Sequence, residues 1–339
     1  MSAITVKDVA RKSGVSIATV SRVINNMDNV KTQTRMIVEA AMKELNYHPN
    51  SIAQNFANQK TKRIALIVDV ENEDAFANPF FYQVQFGIER YLANKGYSLS
   101  IYNKSNHTSR NGLIDRLVFE KQVDGIILHS MLLNKKLVQS LNKSELPFIC
   151  IGEPGEKFGV NWVDVDNYQG GQLAAQHIHD MNYKKTLLIT NDENDLFKVR
   201  RKSGIMSIFG DHSKSLIEKR VDNNITFEDA YEFFYSFFSE NEDVDSIIAI
   251  NNLNALAAER AALDLGRKIP GDLGIVTFDK YPVVELSLPQ LTTIDIDVLL
   301  LGDSAAATLL NNIELNSKAL TNMNIPVKLS IRKSTTMMP

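Results

Sequence analysis

From Arg63 onward, short apolar runs alternate with stretches of helical periodicity, and this alternation constrains the fold more than any other feature. Arg63–Val70 (RIALIVDV), Tyr97–Asn103, Gly125–His129 and Phe148–Gly152 are predicted strands, with helices predicted over Phe81–Asn94 and Gly112–Lys121. The pattern then restarts: helix Gly171–Met181, strand Thr186–Thr190, helices Lys198–Phe209 and Phe227–Phe238, strand Ser246–Ile250, helix Asn254–Leu265 and strand Leu273–Asp279. The tail supplies strand Thr292–Ile296, helix Val298–Ile313 and strand Pro326–Ile331. Strands that are apolar on both faces and separated by helices pair in parallel, because each crossover helix also covers a sheet face. The fold class expected is therefore α/β, with two doubly wound parallel-sheet lobes. Lobe 1 is expected at about 63–161 plus 292–320, and lobe 2 at about 162–291 plus 321–339.

The first 47 residues break this pattern and predict a head of three short helices. Thr5 and Ser16 cap the first two, Gly14 separates them, and the third starts near Thr32 or Thr34 and reaches Leu45-Asn46. None would be stable alone. A shared core is expected from Val9, Ala10, Val20, Val23, Ile37, Val38, Ala41 and Leu45. Residues 48–62 are polar and read as a hinge before the body at 63–339. Charge follows the same division. Residues 1–61 hold 8 Lys+Arg against 4 Asp+Glu, a net of +4, whereas the remainder carries 29 − 36 = −7. A basic head on an acidic body fits a head that meets a polyanion.

On the second helix, Ile17, Ala18, Ser21, Arg22 and Asn25 share the outward face, while Val20 and Val23 face the core. Arg22 on a small, polar face suits bidentate pairing with guanine in a major groove, and Ser16, Thr19, Ser21 and Asn25 suit phosphates. Taken alone, the same face also fits an ordinary solvated helix.

The string ITVKDVARKSGVSIATVSRVINN, followed by TRMIVEAAMKELNYHPN, resembles the DNA-binding head of the LacI/GalR (lactose-repressor) family. DVA, GVS, TVSRV and LNYHPN stand at the family's spacings, and two periplasmic-binding-protein-like lobes follow its hinge. The resemblance implies base reading by Ile17, Ala18 and Arg22. It implies phosphate contacts from Thr5, Ser16, Thr19, Ser21, Asn25, Thr34, Tyr47 and Asn50. It also implies a hinge helix over Ser51–Asn58 that sets Ala53 on the minor-groove floor, with Phe56 where the family usually has a leucine wedge. Partners follow: double-stranded operator DNA, a second copy in a homodimer, and a small-molecule sugar effector.

The effector is expected beyond the carboxyl ends of the strands. Asp69 and His129 end strands, and Phe80 and Phe81 open a helix. Arg201 matches the family's R-x-x-G arginine, and Asp279 its sugar-binding aspartate. Asn252 ends another strand, in an Asn251-Asn252 pair where the family often has Asn-Asp. Carboxylate, guanidinium and amide groups suit hydroxyls, and aromatic faces suit sugar C–H faces. AFANPFF and KQVDGIIL resemble the maltose-operon-repressor branch, which implies maltose or a maltodextrin. The head also resembles the catabolite-control branch, which uses a phosphorylated carrier protein as corepressor.

Other functions find little support. No G-x-G-x-x-G, Walker loop or G-x-S-x-G is present, which argues against catalysis and against a Rossmann-like enzyme; no cofactor is expected. A cytosolic sugar-binding protein with a basic head is the other alternative. Cys150, the single cysteine, reads as a buried strand thiol and excludes Cys-based zinc clusters. His177 and His179 do not face one metal and are expected on a solvated helix face, so no metal site is expected. No apolar run reaches the ~18–20 residues of a membrane span, and the N-terminus has no signal-like apolar segment, so a cytoplasmic protein is expected.

Overall fold

The computed structural model describes residues 4–25, 27–48, 60–69, 79–104, 112–191, 195–210, 215–222, 225–316 and 319–336. Among these, the head contains α1 (Val6–Ser13), α2 (Ile17–Ile24) and α3 (Thr32–Glu44). Thr5 closes the start of α1 by donating its N–H to Asp8 Oδ2 at 2.9 Å. Ser16 caps α2, its Oγ accepting Thr19 N–H at 3.1 Å. Gly14, at φ 69°, takes the left-handed turn between them. Val9, Ala10, Val20, Val23, Val38 and Ala41 are buried together, with Leu45 and Tyr47 against them. Ile37 departs from expectation. It is 47% exposed, because the buried line of α3 runs through Val38 and Ala41 and leaves Ile37 beside Met36 on the open face.

The body contains two six-stranded sheets. The first has the order β11 (Asn322–Ile325), β5 (Trp162–Val165), β4 (Phe148–Ile151), β3 (Gly125–His129), β1 (Arg63–Val68), β2 (Ser98–Asn103), all parallel. The second has the order β12 (Lys328–Ser330), β10 (Thr292–Asp295), β9 (Gly274–Phe278), β8 (Ser246–Ala249), β6 (Thr186–Thr190), β7 (Leu216–Arg220). It is parallel except for the β10–β12 pair. The two orders are topologically alike, and each reverses direction beside its first strand, β1 or β6.

Helices α4 (Pro79–Asn94), α5 (Gly112–Phe119), α6 (Lys135–Ser144) and α12 (Val298–Leu315) belong with the first sheet. Helices α7 (Asn167–Asp180), α8 (Leu196–Phe209), α9 (Phe227–Glu240), α10 (Asn252–Asp264) and the short α11 (Pro282–Glu285) belong with the second. The central strands are buried end to end, as in β6 and β9, which is why they read as unbroken apolar runs.

Strand allocation corrects the expected lobe limits. Trp162–Val165 joins the first sheet rather than opening the second lobe, and Thr292–Asp295 joins the second sheet rather than returning to the first. The strand expected at Pro326–Ile331 forms only over Lys328–Ser330 (β12), and a further short strand, β11, precedes it in the opposite sheet. Pro326 and Val327 lie between them, and proline cannot donate to a ladder. The chain thus crosses between the lobes after β5, after β10 and after β11. α6 and β7 were not anticipated. His177 is also corrected. It is buried on α7, its Nε2 2.7 Å from Thr335 Oγ1, whereas His179 two residues on is exposed.

In each lobe, among the described residues, glycines bring two helices to backbone contact. A Cβ on Gly171 of α7 would stand 2.1 Å from the Arg201 carbonyl oxygen of α8, and one on Gly204 2.0 Å from that of Tyr168. In the first lobe, Gly87 and Gly302 bring α4 and α12 together in the same way, each Cβ falling 2.3 Å from a carbonyl oxygen. No helix among the described residues is long and apolar enough to cross a membrane.

Candidate functional site

In the head, Ile17, Ala18, Ser21 and Arg22 are exposed on α2, as its periodicity requires. Ser16 and Thr19 bind each other at the start of α2 (Oγ to Oγ1, 2.9 Å). Asn25 Nδ2 reaches Ser21 Oγ at 3.4 Å. Thr34 lies half-buried in the first turn of α3, and Tyr47 half-buried after its end. Arg35, which the sequence did not single out, donates from Nη2 to Met27 O at 2.8 Å and so ties α3 to the turn after α2. Asn50, Ala53, Phe56 and the expected hinge helix lie outside the described residues.

In the body, a cleft of about 510 Å³ opens where the carboxyl ends of both sheets face each other. The first lobe supplies Phe80, His129, Ile151, Glu153, Phe158 and Asp164, and the second Asn167, Asp195, Phe197, Arg201, Asp279 and Tyr281. Four of the seven expected residues therefore meet here: Phe80, His129, Arg201 and Asp279.

The other three do not line the cleft. Asp69 is paired with Lys104 at the ends of β1 and β2. Phe81 packs against the first-lobe core, edge-on to Tyr82. Asn252 sits one layer back. Its Nδ2 donates to Phe278 O at 2.6 Å and to Asp279 O at 3.1 Å. Asp279 has φ 70°, a left-handed conformation unfavourable for a residue with a side chain. The Asn252 amide holds that turn in place, and an aspartate at 252 has no hydrogen with which to do so.

Arg201 is 4% exposed and bonds through all three of its nitrogens. Nε donates to Asn167 Oδ1 at 3.0 Å, Nη1 to Ile250 O at 3.0 Å and Nη2 to Asp279 Oδ1 at 3.2 Å. The guanidinium lies 4.3 Å from the Phe278 ring centre and 5.4 Å from that of Phe197. Burial raises the Asp279 carboxyl above its ordinary pKa, and Arg201 opposes that rise. Burial likewise raises Asp164, against the amide hydrogens it accepts from Glu153 and Val165. The Tyr281 hydroxyl is pushed up by burial. Burial lowers His129, which is neutral at pH 7. Because its Nδ1 accepts Met131 N–H at 3.2 Å, the proton of the neutral ring is on Nε2.

Glu153, Asp164, Asn167, Asp195 and Tyr281 were missed. All but Asp195 lie in, or within three residues of the end of, β4, β5 or β9, so strand ends were the available signal. Arg200, beside Arg201, makes a two-point ion pair with Glu153 at 2.9 and 2.7 Å, joining second lobe to first. Cys150 is buried in β4, its thiol pushed up to about 12 by burial.

Residues 5–50 match the profile described as bacterial regulatory proteins, lacI family, and residues 61–333 that of periplasmic binding proteins and sugar binding domain of LacI family. Catabolite control protein A of Staphylococcus xylosus is 30% identical over 86% of this chain and 87% of that protein. Among solved structures, the complex of the transcriptional regulator CelR with cellobiose is 27% identical, with TM-score 0.68, over 98% of this chain and 99% of that one. The Lac repressor dimer bound to operator and the anti-inducer ONPF shares the fold at TM-score 0.80 and 23% identity, over 99% and 100%.

Proposed function

The chain belongs to the lacI family of bacterial regulatory proteins, which are DNA-binding transcriptional regulators and not enzymes; from that premise we propose that it represses carbohydrate-utilisation genes until a sugar effector enters the cleft. The observation that carries this reading is the cleft itself. It is of ligand size, lies at the switch points of both sheets, and combines Arg201 and Asp279 with aromatic rings from each lobe. Maltose or a maltodextrin is the first candidate, on the likeness of AFANPFF and KQVDGIIL to the maltose-operon branch.

The head reads an operator through Ile17, Ala18 and Arg22 of α2, with phosphates held by Thr5, Ser16, Thr19, Ser21, Asn25, Thr34, Tyr47 and Asn50. Residues 48–62 form the hinge, with Ala53 and Phe56 in the minor groove. Two copies act together. Homodimerisation is supported by exposed apolar side chains in each lobe, Tyr82 and Phe86 on α4 and Leu286 and Leu288 after α11. A ligand that bridges the lobes prefers one of their arrangements and so shifts operator affinity by its differential binding, typically ~1–3 kcal/mol.

The test is operator binding by fluorescence anisotropy, with and without maltose and then cellobiose. The parent is expected to leave the operator on sugar addition. Asp279→Asn should bind operator normally without sugar and fail to release it at the parent's sugar concentration. An Asp279→Asn protein that responds like the parent removes Asp279 from the site. A second reading, control by a phosphorylated carrier protein, is favoured by the 30% identity to catabolite control protein A. In that case the carrier tightens operator binding in the same assay.

A further inference from the structure

One carboxylate gathers the last residues of the hinge. Asp124, in the KQVDGIIL string, directly precedes β3, and Thr61 and Lys62 directly precede β1. Thr61 donates to Asp124 Oδ1 twice, from its N–H at 2.7 Å and from Oγ1 at 2.8 Å. Lys62 N–H donates to Asp124 Oδ2 at 2.9 Å. All three residues are half-buried and belong to the same compact unit of the chain. Lys62 has φ 53°, a left-handed conformation unfavourable for a residue with a side chain. Its bond to Asp124 helps to hold it there. A covalent link alone fixes where the hinge meets β1 but leaves the torsions of Thr61 and Lys62 free. Three charge-assisted hydrogen bonds to one carboxylate remove that freedom.

Asp124 in turn leads straight into a strand that is fixed in the first lobe. β3 is buried from Gly125 to Leu128 and bonds in parallel to β1 on one side and β4 on the other. A Cβ on Gly125 would stand 3.0 Å from Ile313 and 3.2 Å from Leu309, so α12 lies directly over the start of the strand. The other end of β3 is His129, which lines the cleft. A packed strand bonded on both sides moves with its lobe.

We infer that Asp124 is a positioning residue: its carboxylate makes the direction of the hinge follow the first lobe, so that a ligand in the cleft alters operator binding through it. This rests on the effector-controlled operator binding proposed above and names the residue that couples its two halves. Asp124 touches neither DNA nor sugar in this role.

Three variants grade the contact. Asp124→Ala removes every acceptor, Asp124→Asn turns an amide donor toward one of the two N–H groups, and Thr61→Val removes only the hydroxyl bond. On the full chain, isothermal titration measures maltose and cellobiose binding. Anisotropy measures operator affinity without and with whichever sugar binds. Sugar affinity is expected within about twofold of the parent in all three, because the substituted groups lie outside the cleft. The parent's ratio of the two operator affinities, about 5–150-fold for coupling of usual size, should fall to about twofold or less in Asp124→Ala. Asp124→Asn and Thr61→Val should give intermediate ratios. Retained sugar binding with lost release separates positioning from misfolding, and from Asp279→Asn, which loses release by losing the sugar. An Asp124→Ala protein with the parent's ratio overturns the inference and leaves a sugar effector standing. If the parent responds to neither sugar, the sugar-effector reading loses its support, and operator affinity alone decides on Asp124. Asp124→Ala should then weaken it about 10-fold, since the hinge must be ordered on binding; affinity equal to the parent's would overturn the inference. If Asp124→Ala does not fold, parent-like behaviour of both Asp124→Asn and Thr61→Val overturns it in the same way.

Discussion

Replacing Gly171 by alanine should separate α7 from α8 and carry Arg201 out of position. The new Cβ would stand 2.1 Å from Arg201 O and 2.9 Å from Ile205 N, where ordinary contact begins near 3.4 Å. Both obstacles are backbone, so no rotamer change relieves them, and α8 must retreat by about 1 Å. Two effects compete. Removing glycine from a helix interior is worth up to about 1 kcal/mol. Overpacking costs about 1–3 kcal/mol, and a backbone clash belongs at the upper end. The expected net loss is about 1–2 kcal/mol, or about 2–8 °C in Tm for a domain of this size. The functional loss is larger. Arg201 bonds of 3.0, 3.0 and 3.2 Å would stretch past hydrogen-bonding range, each worth about 1.5–3 kcal/mol for a charged donor. Scanning fluorimetry reads the first effect, and operator anisotropy under a sugar titration the second. Gly87→Ala is the control. It meets Leu299 O at 2.3 Å in the other lobe, so it should destabilise similarly without disturbing Arg201. A Gly171→Ala protein with the parent's midpoint and sugar response would refute the claim that this crossing positions the arginine.

Arg22→Ala should weaken specific operator binding by about 1–3 kcal/mol and non-specific binding much less; competition with unrelated DNA at fixed salt measures the difference. Glu259 is buried on α10, its Oε1 without a hydrogen-bond partner among the described residues, and burial raises its pKa from 4.5 to about 7. A raised folded pKa stabilises the fold below pH 4.5, and that contribution is lost as pH rises to about 7. Glu259→Gln should therefore gain stability relative to the parent at pH 8 but not at pH 4.5, as read by urea midpoints. His177, lowered by burial, gives the opposite slope, with stability falling as pH drops below 6.5; His177→Gln should flatten it. Glu153→Gln breaks the two-point bridge to Arg200 and should shift the sugar concentration that releases the operator. An unchanged midpoint would show that the bridge favours neither lobe arrangement.

Features that are local in the chain could be read from residue order alone. Buried parallel strands must be apolar throughout, so β1, β3, β6, β8 and β9 were legible as runs. A helix face is fixed by 100° steps, so the exposure of Arg22 and the burial of Val20 and Val23 followed directly. Arg201 and Asp279 were legible through the family pattern. Where local pattern was weak, elements were missed: β7 (LIEKR) is a half-exposed edge strand whose charged residues read as a loop. Which sheet a strand joins is settled by long-range packing, because an apolar run specifies burial but not a partner. That is why β5 and β10 changed lobes. It also separated residues that lie near strand ends from those that reach the cleft. Asp69 turns to Lys104 and Asn252 to the backbone of Asp279, while Asp164, inside a strand and unremarkable in sequence, faces the cleft. Side-chain roles there depend on partners far along the chain: Asp279 for Arg201 within the second lobe, and Arg200 for Glu153 across the two lobes, so those distances are set only by the tertiary fold.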